Sequence, residues 1–96
     1  MSKLPIYKYL DISTAHIKEE TDTYLQKQVR NDNSPLIVYE KECGYFIHVS
    51  YNLDEIEMHI PSDLASCLGF ARKHNCYWIV LDRDAEVIDE LETYEW

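Results

Sequence analysis

The segment Cys76–Leu81 constrains the fold more than any other part of the chain. It consists of six apolar, aromatic or β-branched residues. Such a run is too short for a helix and is typical of a strand that is buried on both faces. A strand of this kind lies in the middle of a sheet, so other segments must flank it and cover it. We therefore predict a sheet that is built around Cys76–Leu81.

The segment that follows has the opposite character. Residues 82–96 carry seven acids and one arginine, a net charge of −6 out of −9 for the whole chain. A negative surface of this kind can raise the rate of association with a basic partner roughly 10 to 1,000-fold at low salt. Apolar residues alternate with the acids and could pack on the sheet, which would hold the acids in a fixed array. The predicted partner-binding residues are Asp82, Asp84, Glu86, Asp89, Glu90, Glu92, Glu95 and Trp96.

Hydrophobic periodicity predicts the other elements. In chain order they are a strand over Ile6–Ile12, a helix over Ile17–Arg30, strands over Leu36–Tyr39, Tyr45–Tyr51 and Glu55–Ile60, a helix from Ser62 to His74, and the strand Cys76–Leu81. The order is β-α-β-β-β-α-β. It predicts a single α+β domain over residues 1–96, a two-layer sandwich of a mainly antiparallel sheet with two helices on one face.

Three local patterns add detail to this predicted fold. The segment Glu55–Ile60 alternates apolar and polar residues strictly, which predicts the third strand of a meander. Ser62 is the predicted N-cap of the second helix, and Asn75 is its predicted C-cap. Gly69 lies inside that helix, where glycine costs about 1 kcal/mol relative to alanine, so it indicates either a close backbone approach or a tolerated residue.

Composition narrows the classes of partner. An acidic chain is repelled by nucleic-acid phosphates and by anionic lipid, so we expect a basic protein partner and neither direct nucleic-acid binding nor membrane binding. Three cysteines without paired spacing indicate a reducing compartment. The N-terminal residues Met1–Pro5 have no apolar signal core, and no apolar run reaches the length of a membrane helix. These features predict a cytoplasmic protein.

His16 is the candidate for ligand binding or catalysis. It lies between a predicted strand end and a predicted helix start, where functional side chains often project. Asp11 or Asp82 is the candidate partner of His16 for acid-base chemistry. The alternative is that His16 is a structural hydrogen-bonding residue of the turn. Neither a nucleophile nor a metal-ligand spacing is recognisable, so no catalytic residue, metal or cofactor is predicted.

The aromatic residues allow a third interpretation. Eight tyrosines and two tryptophans are more than a small core needs, and aromatic residues are enriched at contact surfaces. They either contribute to a partner or homodimer interface or line the sheet face between strands. The residues in question are Tyr7, Tyr9, Tyr39, Tyr51, Tyr94 and Trp96.

A resemblance adds context. The segments Asp11–Ile17, Leu81–Asp84, Val87–Leu91 and Tyr94–Trp96 resemble a family of small acidic uncharacterised proteins carried on bacterial plasmids, conjugative elements and phages. The resemblance implies no enzymatic or binding activity for this chain. It implies a setting in which small acidic proteins often act against host defence, for example by occupying the DNA groove of a restriction enzyme. Such relatives are expected to carry a capping residue where Lys18 stands, so the start of the first helix is weakened here.

The sequence thus favours a non-enzymatic acidic module that binds a basic, nucleic-acid-binding surface of a host protein, as an anti-defence or regulatory protein of a mobile element. Two alternatives stay open. One is a small enzyme or ligand-binding protein that uses His16 with nearby carboxylates. The other is a homo-oligomeric structural module joined through tyrosines and the sheet edge.

Overall fold

A computed structural model describes residues 4–50 and 52–96. The strands are β1 (Tyr9–Ser13), β2 (Val38–Lys41), β3 (Gly44–His48) and β4 (Trp78–Asp82), and the helices are α1 (Glu19–Gln28), α2 (Leu53–Ile56) and α3 (Ser62–Lys73). Short 3₁₀ turns occupy Thr14–His16 and Glu57–His59. The predicted α+β fold is confirmed.

The four strands form one mixed sheet in the order β1-β4-β3-β2. β4 runs parallel to β1 and antiparallel to β3, and β3 pairs with β2 in an antiparallel hairpin. The prediction that the strand around Cys76–Leu81 is central is therefore confirmed. Its residues Ile79, Val80 and Leu81 are all buried.

The core lies between one face of the sheet and the helices. Alternate strand residues point into it, as the two-residue period of a strand requires. The fully buried members include Ile12, Ile47, Ile79 and Leu81 from the sheet and Leu25, Leu64 and Leu68 from α1 and α3. The opposite face of the sheet is not covered by any helix of the described residues.

The predicted strand over Glu55–Ile60 is wrong. These residues form the end of α2 and a 3₁₀ turn, so the described part of the chain has three α-helices and four strands. Met58, expected in the core, is 87% exposed. Leu53, Ile56 and Ile60 are buried, and their spacing of three and four residues fits a helical turn as well as the alternation fits a strand. β4 occupies the place beside β3 that a third meander strand would need.

The termini of α3 differ partly from expectation. Pro61 is the N-cap, without a side-chain hydrogen bond, and Ser62 is the first helical residue, so the predicted capping role of Ser62 is wrong. At the other end Asn75 follows the C-cap residue and has a left-handed backbone with φ of 63°. The amide of Cys76 donates to the carbonyl of Ala71 at 2.9 Å, as in a Schellman motif.

α1 begins at a residue that cannot cap it, as the sequence predicts. Lys18 is the N-cap and makes no side-chain capping bond. The carboxylate of Asp63, from the first turn of α3, takes over this role. It accepts the Lys18 amide at 2.7 Å and the Thr21 hydroxyl at 2.7 and 2.8 Å. Asp63 is buried, and its negative charge lies where the dipole of α1 favours an anion.

The two glycines allow a test of how closely β3 and β4 approach each other, with Gly44 in β3 as the test site and Gly69 in α3 as the control. A Cβ built on Gly44 would overlap the carbonyl oxygen of Leu81, whereas a Cβ on Gly69 has nothing within 4 Å, so Gly69 is a tolerated residue. We expect Gly44→Ala to lower the free energy of unfolding by about 1–3 kcal/mol, because β3 must move away from β4. Gly69→Ala should raise it by about 0.5–1 kcal/mol through helix propensity. Urea denaturation measures both, and equal effects would contradict the register of β3 and β4.

Candidate functional site

The C-terminal segment, residues 83–96, contains no helix or strand but is tied to the chain that follows β1. Its backbone or side chains make three hydrogen bonds to that stretch, besides those to His16. They run from the Ser13 amide to the Glu86 carbonyl (3.0 Å), from the Tyr94 amide to the Ala15 carbonyl (2.8 Å), and from Trp96 Nε1 to the Ile17 carbonyl (2.8 Å). Ile88 and Leu91 also pack against the core. Two of the interleaved apolar residues, Ile88 and Leu91, thus help to hold the segment on the domain, whereas Val87 is 53% exposed.

His16 makes the central contact of this arrangement. It is 2% exposed, its Nδ1 lies 2.8 Å from the carbonyl oxygen of Glu92, and its Nε2 accepts the Ile88 amide at 3.0 Å. Since Nε2 accepts a hydrogen bond, the ring proton is on Nδ1 and donates to Glu92. Both ring nitrogens are therefore engaged with the backbone of the C-terminal segment. This geometry fits the structural interpretation of His16, and neither nitrogen is free for a ligand.

Asp11 does not join His16. It lies in the middle of β1 opposite Val80 and is exposed. Its neighbours Leu10 and Ile12 pack against the core, so the side chain of Asp11 points to the uncovered face of the sheet. The cleft beside His16 is lined by residues of α3 and of the C-terminal segment instead. Asp82 does not join His16 either, since it pairs with Lys41. Neither acid-base pair considered from the sequence is assembled.

The cleft beside His16 has a volume of about 310 Å³, and three of the polar side chains that line it besides His16 are already engaged within the fold. Asp63 binds the start of α1, and the Ser66 hydroxyl donates to the Ser62 carbonyl at 3.1 Å. The Cys67 thiol is 1% exposed and lies 3.6 Å from the carbonyl oxygen of His16. Burial raises the pKa of Cys67 to about 12, which keeps the thiol protonated and unreactive. The cleft is a structural junction without an activated nucleophile.

The acidic surface, which we define as Asp84, Glu86, Asp89, Glu90, Glu92 and Glu95, is exposed in all six residues. Within residues 4–50 and 52–96, the only ion pair to this set is a long one, 3.9 Å from Arg83 Nε to Asp84 Oδ1. The acids are thus fixed through their backbone but largely unneutralised. Glu95 and Trp96 also border a depression that includes Glu19 and Glu20 of α1, so negative charge continues onto that helix.

Asp82 belongs to a different environment. It is the last residue of β4, is half-buried, and lies 2.6 Å from Lys41 Nζ. The hydrogen bond with Lys41 lowers the pKa of Asp82, and the same bond raises the pKa of Lys41. The structure therefore places Asp82 in a local ion pair, although its Oδ1 also accepts the Asp84 amide at 2.8 Å. Unlike the six acids of the acidic surface, Asp82 is half-buried.

The uncovered face of the sheet carries a second candidate surface. Side chains from the segment before β1 and from all four strands border a shallow groove of about 290 Å³. We call it the aromatic groove; its residues are Tyr7, Tyr9, Tyr39, Phe46 and Trp78. Tyr39 and Trp78 stack with ring centroids 6.1 Å apart. Of the other aromatic residues considered for an interface, Tyr94 and Trp96 lie in the C-terminal segment, and Tyr51 falls outside the described residues.

The described residues contain no group of three or more His, Cys, Asp or Glu side chains that could hold a metal ion. None of the helices in residues 4–50 and 52–96 has the length and apolar character needed to cross a bilayer.

The contact between His16 and the C-terminal segment can be tested by substitution. His16→Ala leaves the Ile88 amide and the Glu92 carbonyl without partners and opens a cavity. We expect a loss of about 2–4 kcal/mol in the free energy of unfolding and faster limited proteolysis after residue 83. His59→Ala, which alters an exposed histidine, is the control and should change stability by less than about 0.5 kcal/mol. Unchanged proteolysis of His16→Ala would contradict the contact.

The three thiols should differ in reactivity. Cys67 and Cys76 are buried and Cys43 is half-buried, so Ellman's reagent should modify only Cys43 rapidly in the folded protein and all three in denaturant. Rapid modification of Cys67 in the folded state would contradict its placement.

The raised pKa of Cys67 also makes the free energy of unfolding depend on pH. The contribution of the buried neutral thiol to this free energy is complete below about pH 8.5, where an unfolded thiol begins to ionise. It is lost as the pH rises toward about 12.

Comparison with known proteins places the chain in a family. No curated protein and no solved structure matches it. Residues 9–96 match a family profile described as the C-terminal domain of a family of unknown function, DUF5983. The matched part runs from the first residue of β1 to the last residue of the C-terminal segment. The match covers nearly the whole chain. The expectation of an uncharacterised family is confirmed, and the protein belongs to the DUF5983 family, in the part described as its C-terminal domain.

Proposed function

We propose that this protein is a non-enzymatic module that binds a basic, nucleic-acid-binding surface of another protein through its acidic surface. The observation that supports this most directly is the attachment of the C-terminal segment. Its hydrogen bonds to residues 13–17 hold a stretch without regular secondary structure against the domain, with the acids pointing outward.

A fixed array of charges binds better than a mobile one for an entropic reason. A flexible acidic tail loses backbone freedom when it binds, and each ordered residue costs about 1–2 kcal/mol. In the C-terminal segment this ordering has already occurred on folding, because His16 and its neighbours hold the backbone. Binding then costs mainly the freedom of the acidic side chains.

The electrostatic arrangement also supports the proposal. Negative charge that only serves solubility needs no particular position, yet here most of it lies in one segment and continues onto Glu19 and Glu20. Because five of the six acids have no ion pair within the described residues, their field is directed outward. Such a field attracts a basic surface over roughly one Debye length, about 8 Å at physiological salt.

The partner class follows from this chemistry. A surface that normally binds nucleic-acid phosphates is rich in lysine and arginine, and closely spaced carboxylates on a rigid segment offer it an alternative ligand. Within this proposal, the protein acts as an anti-defence or regulatory protein of a mobile element, and the partner is a nucleic-acid-handling protein of the host cell.

The proposal can be tested with two variants of equal charge. One carries Asp84→Asn, Glu86→Gln, Asp89→Asn and Glu90→Gln in the acidic surface. The control carries Asp32→Asn, Glu42→Gln, Glu55→Gln and Glu57→Gln at exposed positions elsewhere. Each loses four negative charges. Tagged wild-type protein and both variants are used to capture proteins from nuclease-treated bacterial lysate at low salt.

We expect the wild type and the control to retain a basic protein that duplex DNA displaces, and the acidic-surface variant to lose it. For the purified partner, the acidic-surface variant should bind at least about tenfold more slowly and with a weaker dependence on salt. Equal binding by the wild type and the acidic-surface variant, or equal loss in both variants, would rule out the acidic surface as the binding site.

A further inference from the structure

The aromatic groove is an unusual surface for the open side of a sheet. Sheets with one solvated face usually alternate apolar residues toward the core with polar residues toward water. Here Tyr9 and Tyr39 occupy outward positions on the two edge strands and are 60% and 57% exposed. Tyr7 is 61% exposed and Phe46 38%. These rings lie beside one another around Trp78, so the apolar area is continuous.

The exposed area is large enough to form the centre of a protein interface. An aromatic side chain offers about 150–250 Å², so the exposed fractions of the five rings amount to roughly 500 Å². The largest apolar patch on a monomer of ordinary size is about 300–600 Å² and is often functional. A standard interface buries about 800 Å² on each partner, with an apolar centre and a polar rim. The groove supplies such a centre.

The position of the charges indicates which partner fits. The aromatic groove is lined by five uncharged residues within the described chain. A basic protein would gain no charge pairing there, and nucleic acid would find no cation for its phosphates. A second copy needs neither kind of contact, because it offers the same uncharged aromatic surface. Two rows of tyrosine, phenylalanine and tryptophan can pack against each other in the offset and edge arrangements that such rings favour.

The repulsion between two acidic chains is limited by the fold. The groove lies at the starts of β1 and β4, which run parallel, whereas the C-terminal segment is attached to residues 13–17 beyond the end of β1. From Tyr9 to Ser13 the strand covers about 13 Å at roughly 3.3 Å per residue. This exceeds the Debye length of about 8 Å at physiological salt, so the acidic surface is screened from the groove.

From these observations we propose that the aromatic groove is the contact face of a homodimer. Two sheets pack face to face around a two-fold axis, with the aromatic rows of the two copies in contact and the polar residues His48, Asp11 and Lys41 toward the rim. The acidic surface of each copy, attached at the far end of β1, stays outside this contact. If the acidic surface binds a basic partner as proposed above, the dimer is bivalent; the dimer itself does not rest on that function.

The test is analytical ultracentrifugation of the full chain from low to high micromolar concentration. Tyr39→Glu and Tyr39→Lys place a charge of either sign in the aromatic groove beside Trp78, on a side chain exposed enough to tolerate it in the monomer. Met58→Glu is the matched control, because Met58 is an exposed apolar residue in the 3₁₀ turn between α2 and α3, away from the sheet. Circular dichroism and urea denaturation check that each variant folds.

We expect the wild type and Met58→Glu to sediment as dimers of twice 11.4 kDa. Both Tyr39 variants should raise the dissociation constant by about 100-fold, since a symmetric contact loses the tyrosine on both sides. A wild type that stays monomeric throughout, or Tyr39 variants that dimerise as well as Met58→Glu, would overturn the proposal. The acidic-surface variant should remain dimeric, so failure of the dimer and failure of the acidic site are separate results.

Discussion

The imidazole of His16 bonds to two backbone groups, the Ile88 amide and the Glu92 carbonyl, and the position of the C-terminal segment depends on this contact. The segment contains no helix or strand, so it has few hydrogen bonds of its own to keep it in place. A buried histidine with both nitrogens bonded provides a donor and an acceptor in a fixed geometry. Removing it would leave polar backbone groups without partners in a partly buried region, which is costly.

A second long-range polar contact, made by Asp63, stabilises the region around His16. Asp63 of α3 binds the start of α1, where Lys18 provides no cap. The turn that holds His16 lies directly before this helix start, and the Cys67 thiol of α3 reaches the His16 carbonyl. The turn with His16, the third helix and the C-terminal segment therefore meet around one cleft. Its histidine, carboxylate and thiol resemble the components of an active site, but each already has a structural partner.

The sequence predicts the parts of this fold that local patterns control. The central strand, the β2–β3 hairpin and the two long helices follow from hydrophobic periodicity, but Glu55–Ile60 fits two periods, and only the competition with β4 for a place beside β3 decides between them. The contacts of His16 join residues more than 70 positions apart and leave no periodic signal. The contact of Asp63 with the start of α1 likewise cannot be predicted from the sequence around Lys18, because the two residues are 45 positions apart. The aromatic groove becomes apparent only when the strand order brings Tyr9, Tyr39 and Trp78 to one face.

The acids form a fixed surface only if the C-terminal segment is held as firmly as the domain itself. Amide hydrogen exchange at Ile88 measures this directly, since its N–H donates to His16 Nε2 and is part of no helix or strand. If the contact persists in solution, exchange at Ile88 should be slowed at least about 1,000-fold relative to an unfolded peptide, which corresponds to an opening free energy of about 4 kcal/mol. Exchange at the rate of an unfolded peptide, while Ile79 in β4 stays protected, would show that the segment is mobile and would contradict a fixed acidic surface.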